Sequence, residues 1–131
     1  MKLSQILCDI EYEVLQGNLE ADITDIIYDS RKLIDSCMFV CLVGAVADGH
    51  NYINDAVSKG AKAIVVQKDV EKIPEDIAVI KVENTRKALA YMSAAFFGFP
   101  ARELTTIGLT GTKGKTTTTY MIKSVLEATG N

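Results

Sequence analysis

Residues 107-IGLTGTKGKTTTTY-120 bring together three glycines, two lysines and a run of threonines just ahead of an apolar helical pattern. Glycines let a backbone turn tightly and aim its N–H groups at an anion, and a helix that follows adds its positive end. In 111-GTKGKTT-117, Gly111 and Gly114 shape the loop. Lys115 is placed to reach β/γ-phosphates as a point charge, and Thr116 to offer its hydroxyl to Mg²⁺. The chemistry this predicts is the binding of ATP or GTP. The strict pattern wants a glycine five positions before Gly114, and that position is Leu109; the nearest glycines are Gly108 and Gly111. The reading therefore rests on context, an apolar strand before the loop and an apolar helix after it. A strand-to-helix turn that needs glycine for its geometry alone is the competing reading.

The elements that must position this loop alternate along the chain. Leu3, Ile6, Leu7 and Ile10 recur at helical spacing and predict a short opening helix. Residues 23–28 and 38–43, rich in β-branched and aromatic types, read as strands. Residues 51–59 predict a helix with Tyr52, Ile53, Ala56 and Val57 on one face and Gly60 as its stop. The apolar runs 61-AKAIVVQ-67 and 77-IAVIKV-82 read as strands covered on both faces. The polar run 68–76 between them reads as a solvated loop. Asn84 or Thr85 caps a helix whose inner side carries Ala88, Leu89, Met92, Ala95 and Phe96, and Gly98 and Pro100 end it. After a linker at 98–103, residues 104–109 predict a strand feeding the glycine loop, and 115–128 the helix that follows. This is an α/β layout with at least one parallel crossover.

Composition narrows the function classes. At 131 residues with 48% apolar and 24% charged, the chain can bury a core of its own. A formal charge of -3 gives no basic stripe for gripping nucleic acid. No apolar run approaches the roughly 18 residues of a membrane helix, and the start does not read as a signal peptide. Cys8, Cys37 and Cys41, an odd number without a CxxC pair, read as reduced apolar side chains of a cytoplasmic protein. Read alone, Asp29-Ser30-Arg31 is a turn with a side-chain cap, Asp48-Gly49 a turn dipeptide, and the single histidine, His50, a helix cap.

Taken in order, these motifs resemble a family. The loop form T-G-T-x-G-K-T-T is similar to the ATP site of the Mur ligases and their relatives, the folylpolyglutamate synthetases. Residues 29-DSRKLIDSCMFVCLVGAVADGHNYINDAVSKGAKAIVV-66 narrow this to the N-terminal domain of the Mur ligases that act third and fourth on the growing peptide. Gly111-Thr112 and the run 84-NTRKALAYMSAAFFGFPARELTTIGLTGT-112 resemble the member that adds the third residue.

The resemblance implies a small Rossmann-like α/β domain with a mixed sheet over 1–100, holding the UDP end of UDP-MurNAc-L-Ala-D-Glu. It implies that 101–131 begins a central ATPase domain with its strand, P-loop and helix, cut short. Ser30 is then the main substrate-binding residue, with Tyr28 before it and Ala45, Val46 and Ala47 ahead of Asp48-Gly49. Gly111, Thr112, Lys113, Gly114, Lys115, Thr116 and Thr117 would hold ATP, with Lys115 catalytic and Thr116 on Mg²⁺. Lys113 stands where the family usually has Asn. The activity implied is ATP-dependent amide-bond formation with L-Lys or meso-diaminopimelate, in a cytoplasmic monomer. The 131 residues alone are expected to be inactive, because the rest of the machinery would lie further along. The alternatives are the member adding D-Ala-D-Ala, a stand-alone nucleotide-sugar binding module and, in a different class, a regulatory P-loop GTPase.

Overall fold

The computed structural model describes residues 1–45, 47–71 and 73–130. They fall into two compact units, Met1–Pro100 and Ala101–Asn131. The first unit is built on β1 (Glu13–Gln16), β2 (Ile26–Ile27), β3 (Met38–Val40), β4 (Ala63–Val66) and β5 (Ala78–Lys81). Among the described residues these form one sheet in the order β1-β5-β4-β3-β2. Strands β2 to β5 run parallel, and β1 pairs antiparallel with the β5 edge. The sheet is therefore mixed, as expected.

The apolar strands sort their side chains by alternation. Met38, Val40, Ala63, Val65, Ala78 and Ile80 face one side, where α1 (Leu3–Ile6) and α3 (Thr85–Phe96) cover them with Leu3, Ile6, Ala88 and Met92. Phe39, Cys41, Ile64, Val66 and Val79 face the other, covered by Ile53 and Ala56 of α2 (Ile53–Ser58) and by Ile73 and Ile77. Burial on both faces explains why these strands read as continuous apolar runs. Helix α2 stops before Gly60, whose φ of 85° suits the left-handed turn that lets Ala61 N–H return to the Ala56 carbonyl at 3.0 Å. Asn84 caps α3 by accepting from the Lys87 amide at 2.9 Å.

Several expectations are corrected. The short opening helix is present as expected, as a single turn, but residues 51–59 are α-helical only from Ile53 and enter α2 through a 3-10 turn at Gly49–Tyr52. Strand β1 was not legible, because Glu13–Gln16 is largely exposed and shows no apolar alternation. The 68–76 run is not wholly solvated: Ile73 is buried, and Gln16 Nε2 donates to the carbonyls of Pro74 at 2.8 Å and Ile77 at 3.0 Å. Buried Ile73 acts here as the cover a crossover helix would otherwise supply.

The second unit carries α5 (Lys115–Ala128); at the junction, the expected linker contains one helical turn, α4 (Pro100–Glu103). Residues 104–110 form no strand among the described residues. A strand needs a neighbour for its N–H and C=O groups, and none of the described residues pairs with this segment. Of the strand–loop–helix expected here, the loop and helix are present and the strand is not. No residue of α5 is buried, and Ile107, Tyr120, Met121 and Val125 are exposed.

Candidate functional site

Parallel strands deliver their carboxyl ends to one edge of a sheet, and open α/β sheets bind ligands just outside that edge. Strand β2 runs out into Tyr28-Asp29-Ser30, β3 into Leu42 to Gly44, and β5 into the start of α3 at Arg86. These segments line a groove of about 600 Å³, within the range of roughly 300–1,000 Å³ usual for small-molecule sites.

Tyr28 and Ser30, both expected to bind substrate, line the groove. Asp29 folds Ser30–Lys32 into a 3-10 turn by accepting from the Arg31 amide at 3.1 Å. The Arg31 side chain closes a two-point ion pair on the same carboxylate, at 2.9 and 2.7 Å. Those bonds hold the Asp29 carboxyl down at about 2. The Ser30 hydroxyl makes no hydrogen bond among the described residues, which leaves it for a ligand. Ala47 lines the groove too, from a tight turn in which Gly44 N–H donates to its carbonyl at 2.9 Å. Ala45 is exposed and is not brought to the groove. Val46 lies outside the described residues.

Sequence reasoning missed Arg86, Tyr52 and Leu42, which also line the groove. Arg86 stands in the first turn of α3, two residues after the capping Asn84. The signal available was an Arg at the start of a helix that follows a parallel strand.

A polar cluster braces the groove from behind. Asp48 accepts from the His50 amide at 3.0 Å, meets His50 Nδ1 at 2.5 Å and takes Lys68 Nζ at 2.6 Å. His50 Nε2 accepts from the Gln67 amide at 3.1 Å, so its proton sits on Nδ1, facing Asp48. Gln67 Oε1 in turn accepts from the Thr85 amide at 3.0 Å and its hydroxyl at 3.1 Å. Lys68, with His50, holds the Asp48 carboxyl well below the usual carboxylate range. Asp48 thus performs the capping expected of His50, while His50 ties the turn to the end of β4.

In the second unit Gly114 adopts φ 76° and Gly111 φ 150°, so both glycines occupy backbone that other residues rarely adopt. The Lys115 ammonium donates to the Gly111 carbonyl, folding over the loop. The amides of Lys115, Thr116 and Thr117 make no backbone hydrogen bond among the described residues. Unpartnered amides at the start of a 14-residue helix, beside a lysine, fit a phosphate chain. Lys115 and Thr116 line a cavity of about 760 Å³ that runs along α5. Among the described residues no group of three His, Cys, Asp or Glu side chains could hold a metal. Thr116 could therefore serve Mg²⁺ only as one ligand among phosphate oxygens and water.

A mixed α/β sheet with a groove at its carboxyl edge places the first unit in the open-sheet class of ligand-binding domains. The profile of the Mur ligase family, catalytic domain, matches residues 22–97, and the chain belongs to that family. It is 50% identical over 130 residues to the UDP-N-acetylmuramoyl-L-alanyl-D-glutamate--2,6-diaminopimelate ligase of Clostridium perfringens, covering 99% of this chain and 27% of that protein. The ligase of the same name from Clostridioides difficile is 39% identical over 131 residues, covering 100% of this chain and 27% of that protein. The chain thus spans about a quarter of the length of the curated relatives it matches. A crystal structure of MurF from Acinetobacter baumannii superposes with a TM-score of 0.73 at 29% identity, over 98% of this chain and 28% of that one. No helix among the described residues is long and apolar enough to cross a membrane.

Proposed function

We propose that this chain is the substrate-binding domain and the start of the ATP-binding domain of an ATP-dependent amide ligase. That ligase adds the third amino acid to UDP-MurNAc-L-Ala-D-Glu in peptidoglycan synthesis. The observation that carries this reading is the 50% identity, over 99% of the chain, to a ligase named for diaminopimelate. On that ground meso-diaminopimelate is favoured over L-Lys as the incoming amine. The MurF likeness is lower, at 29% identity, and supports the shared fold more than the D-Ala-D-Ala reaction.

A carboxylate is a poor acyl donor, and phosphorylation by ATP would turn it into an acyl phosphate that an amine can attack. Residues 1–100 would hold the nucleotide end of the substrate, with Tyr28 stacking or packing against it and Ser30 donating or accepting through its free hydroxyl. In 101–131, the Lys115 ammonium would neutralise phosphate charge, Thr116 would contribute a hydroxyl to Mg²⁺, and the 115–117 amides would orient the phosphates. Lys113 would add charge beside the triphosphate. A cytoplasmic monomer that binds neither nucleic acid nor membrane belongs to the same reading.

Calorimetry with UDP-MurNAc-L-Ala-D-Glu and with ATP tests it. Ser30→Ala is expected to weaken the first ligand by about tenfold and leave ATP unchanged, and Lys115→Ala to do the reverse. Tighter binding of GTP than ATP would instead support a GTPase. The 131 residues alone are expected to release no ADP when given substrate and diaminopimelate.

A further inference from the structure

We propose that Arg86 is the anion-holding residue of the groove in the first unit, and that it takes the diphosphate of a nucleotide sugar. The inference rests on the nucleotide-sugar reading for its ligand, and on the groove itself for its residue. Charge bookkeeping inside the groove singles Arg86 out. The groove is lined by one carboxylate, Asp29, and two guanidiniums, Arg31 and Arg86. Asp29 is consumed by Arg31 in a two-point ion pair, so those two charges cancel locally. Arg86 has no carboxylate partner among the described residues; its recorded contact is a long one, 3.4 Å to the carbonyl of Val43.

A guanidinium is the side chain best matched to paired phosphate oxygens, because its donors lie in a fixed planar fork. A 3.4 Å bond to a neutral carbonyl is easily exchanged for charge-assisted bonds to phosphate. Position adds to this. Arg86 stands in the first turn of α3, just after β5, while Tyr28 and Ser30 leave β2, and the groove spans the strands between them. A ligand with its nucleoside near Tyr28 and Ser30 would therefore extend its diphosphate across the carboxyl edge toward Arg86. Val43, which Arg86 contacts, closes a bridge with Asp48, so the same guanidinium would fasten the turn carrying Ala47 against the ligand.

The test uses the 131-residue chain with Lys115→Ala, so that the glycine loop does not compete for phosphate. Titrations with uridine, UMP, UDP and CDP are compared for Arg86, Arg86→Ala and Arg86→Lys. Expected is a loss of tenfold or more in UDP affinity with Arg86→Ala, no change for uridine, partial recovery with Arg86→Lys, and a weaker dependence on salt. Equal losses for uridine and UDP would show a merely structural role and overturn the proposal, as would unchanged UDP binding. Equal, Arg86-dependent binding of UDP and CDP would support the diphosphate role while removing the uridine part of the proposed function. Absence of any binding to the Arg86 protein would overturn both.

Discussion

His50 Nε2 accepts a hydrogen bond from the backbone amide of Gln67 at 3.1 Å, across seventeen residues of chain. That single bond joins the turn after β3 to the end of β4. Because the other ring nitrogen faces Asp48 at 2.5 Å, and the ring is 5% exposed, the imidazole is fixed at both ends. The Gln67 side chain then continues the link to the first turn of α3. The two edges of the groove, at Ala47 and at Arg86, are thus tied through one polar chain.

Replacing His50 with Ala leaves the Gln67 amide without its partner and removes one of the two donors to Asp48 Oδ1. A loss of about 1–3 kcal/mol is expected, measured as a lower urea midpoint for the first unit at unchanged slope. A His50→Gln variant, able to accept at one end, should recover part of the loss. An unchanged midpoint would show that the bridge is not stabilising.

The acid side of the stability profile follows from Asp48 and Asp29. Both carboxyls lie below their ordinary value of 3.8, Asp29 at about 2 and Asp48 held down by Lys68 and His50. A depressed folded-state value means that the unfolded chain binds the proton more readily. Stabilisation from these groups is then fully present above about pH 5 and is lost as pH falls through 4 toward 2. Denaturation midpoints taken from pH 7 to 2 should fall in that window, and Asp48→Asn should flatten the fall. An Asp48→Asn profile as steep as that of the parent would refute the assignment.

Gly49 is required by contact rather than by φ. A Cβ placed there would lie 2.7 Å from the Leu42 nitrogen and 2.9 Å from the Cys41 Cα, while Gly49 N–H donates to the Leu42 carbonyl at 2.8 Å. Gly49→Ala should cost about 2 kcal/mol or more and weaken ligands of the groove. Gly108→Ala, where a Cβ meets nothing within 4 Å, is the matched control and should be neutral, both read as urea midpoints.

Thiol chemistry separates the three cysteines. Burial pushes the Cys41 thiol up to about 12 and raises that of Cys37, whereas Cys8 is exposed. Thiolate is the reactive form, so a maleimide at pH 7.5 should label Cys8 first, read by peptide mass. Cys37 and Cys41 should follow only in denaturant. Fast native labelling of Cys41 would contradict the packing of β3.

The parallel strands and α3 were legible because apolar runs and a capped amphipathic helix carry their pattern in neighbouring residues. Asp29 as a cap and Gly111 and Gly114 as special backbone positions were legible for the same local reason. Strand β1 was not, since an exposed edge strand needs no apolar alternation and exists only through its pairing with β5. The segment 104–109 erred in the opposite sense: its residues favour a strand, but a strand is made by a neighbour, and none pairs with it among the described residues.

The sequence by itself determined the loop, the family resemblance and the residue types that a phosphate would need. Only the tertiary structure decided that Arg86 shares a groove with Tyr28 and Ser30, that Ala45 does not, and that His50 answers to Gln67. Local pattern is read from residues a few positions apart. Which distant side chains meet depends on strand order and register, which are settled when both faces of the sheet find cover at once.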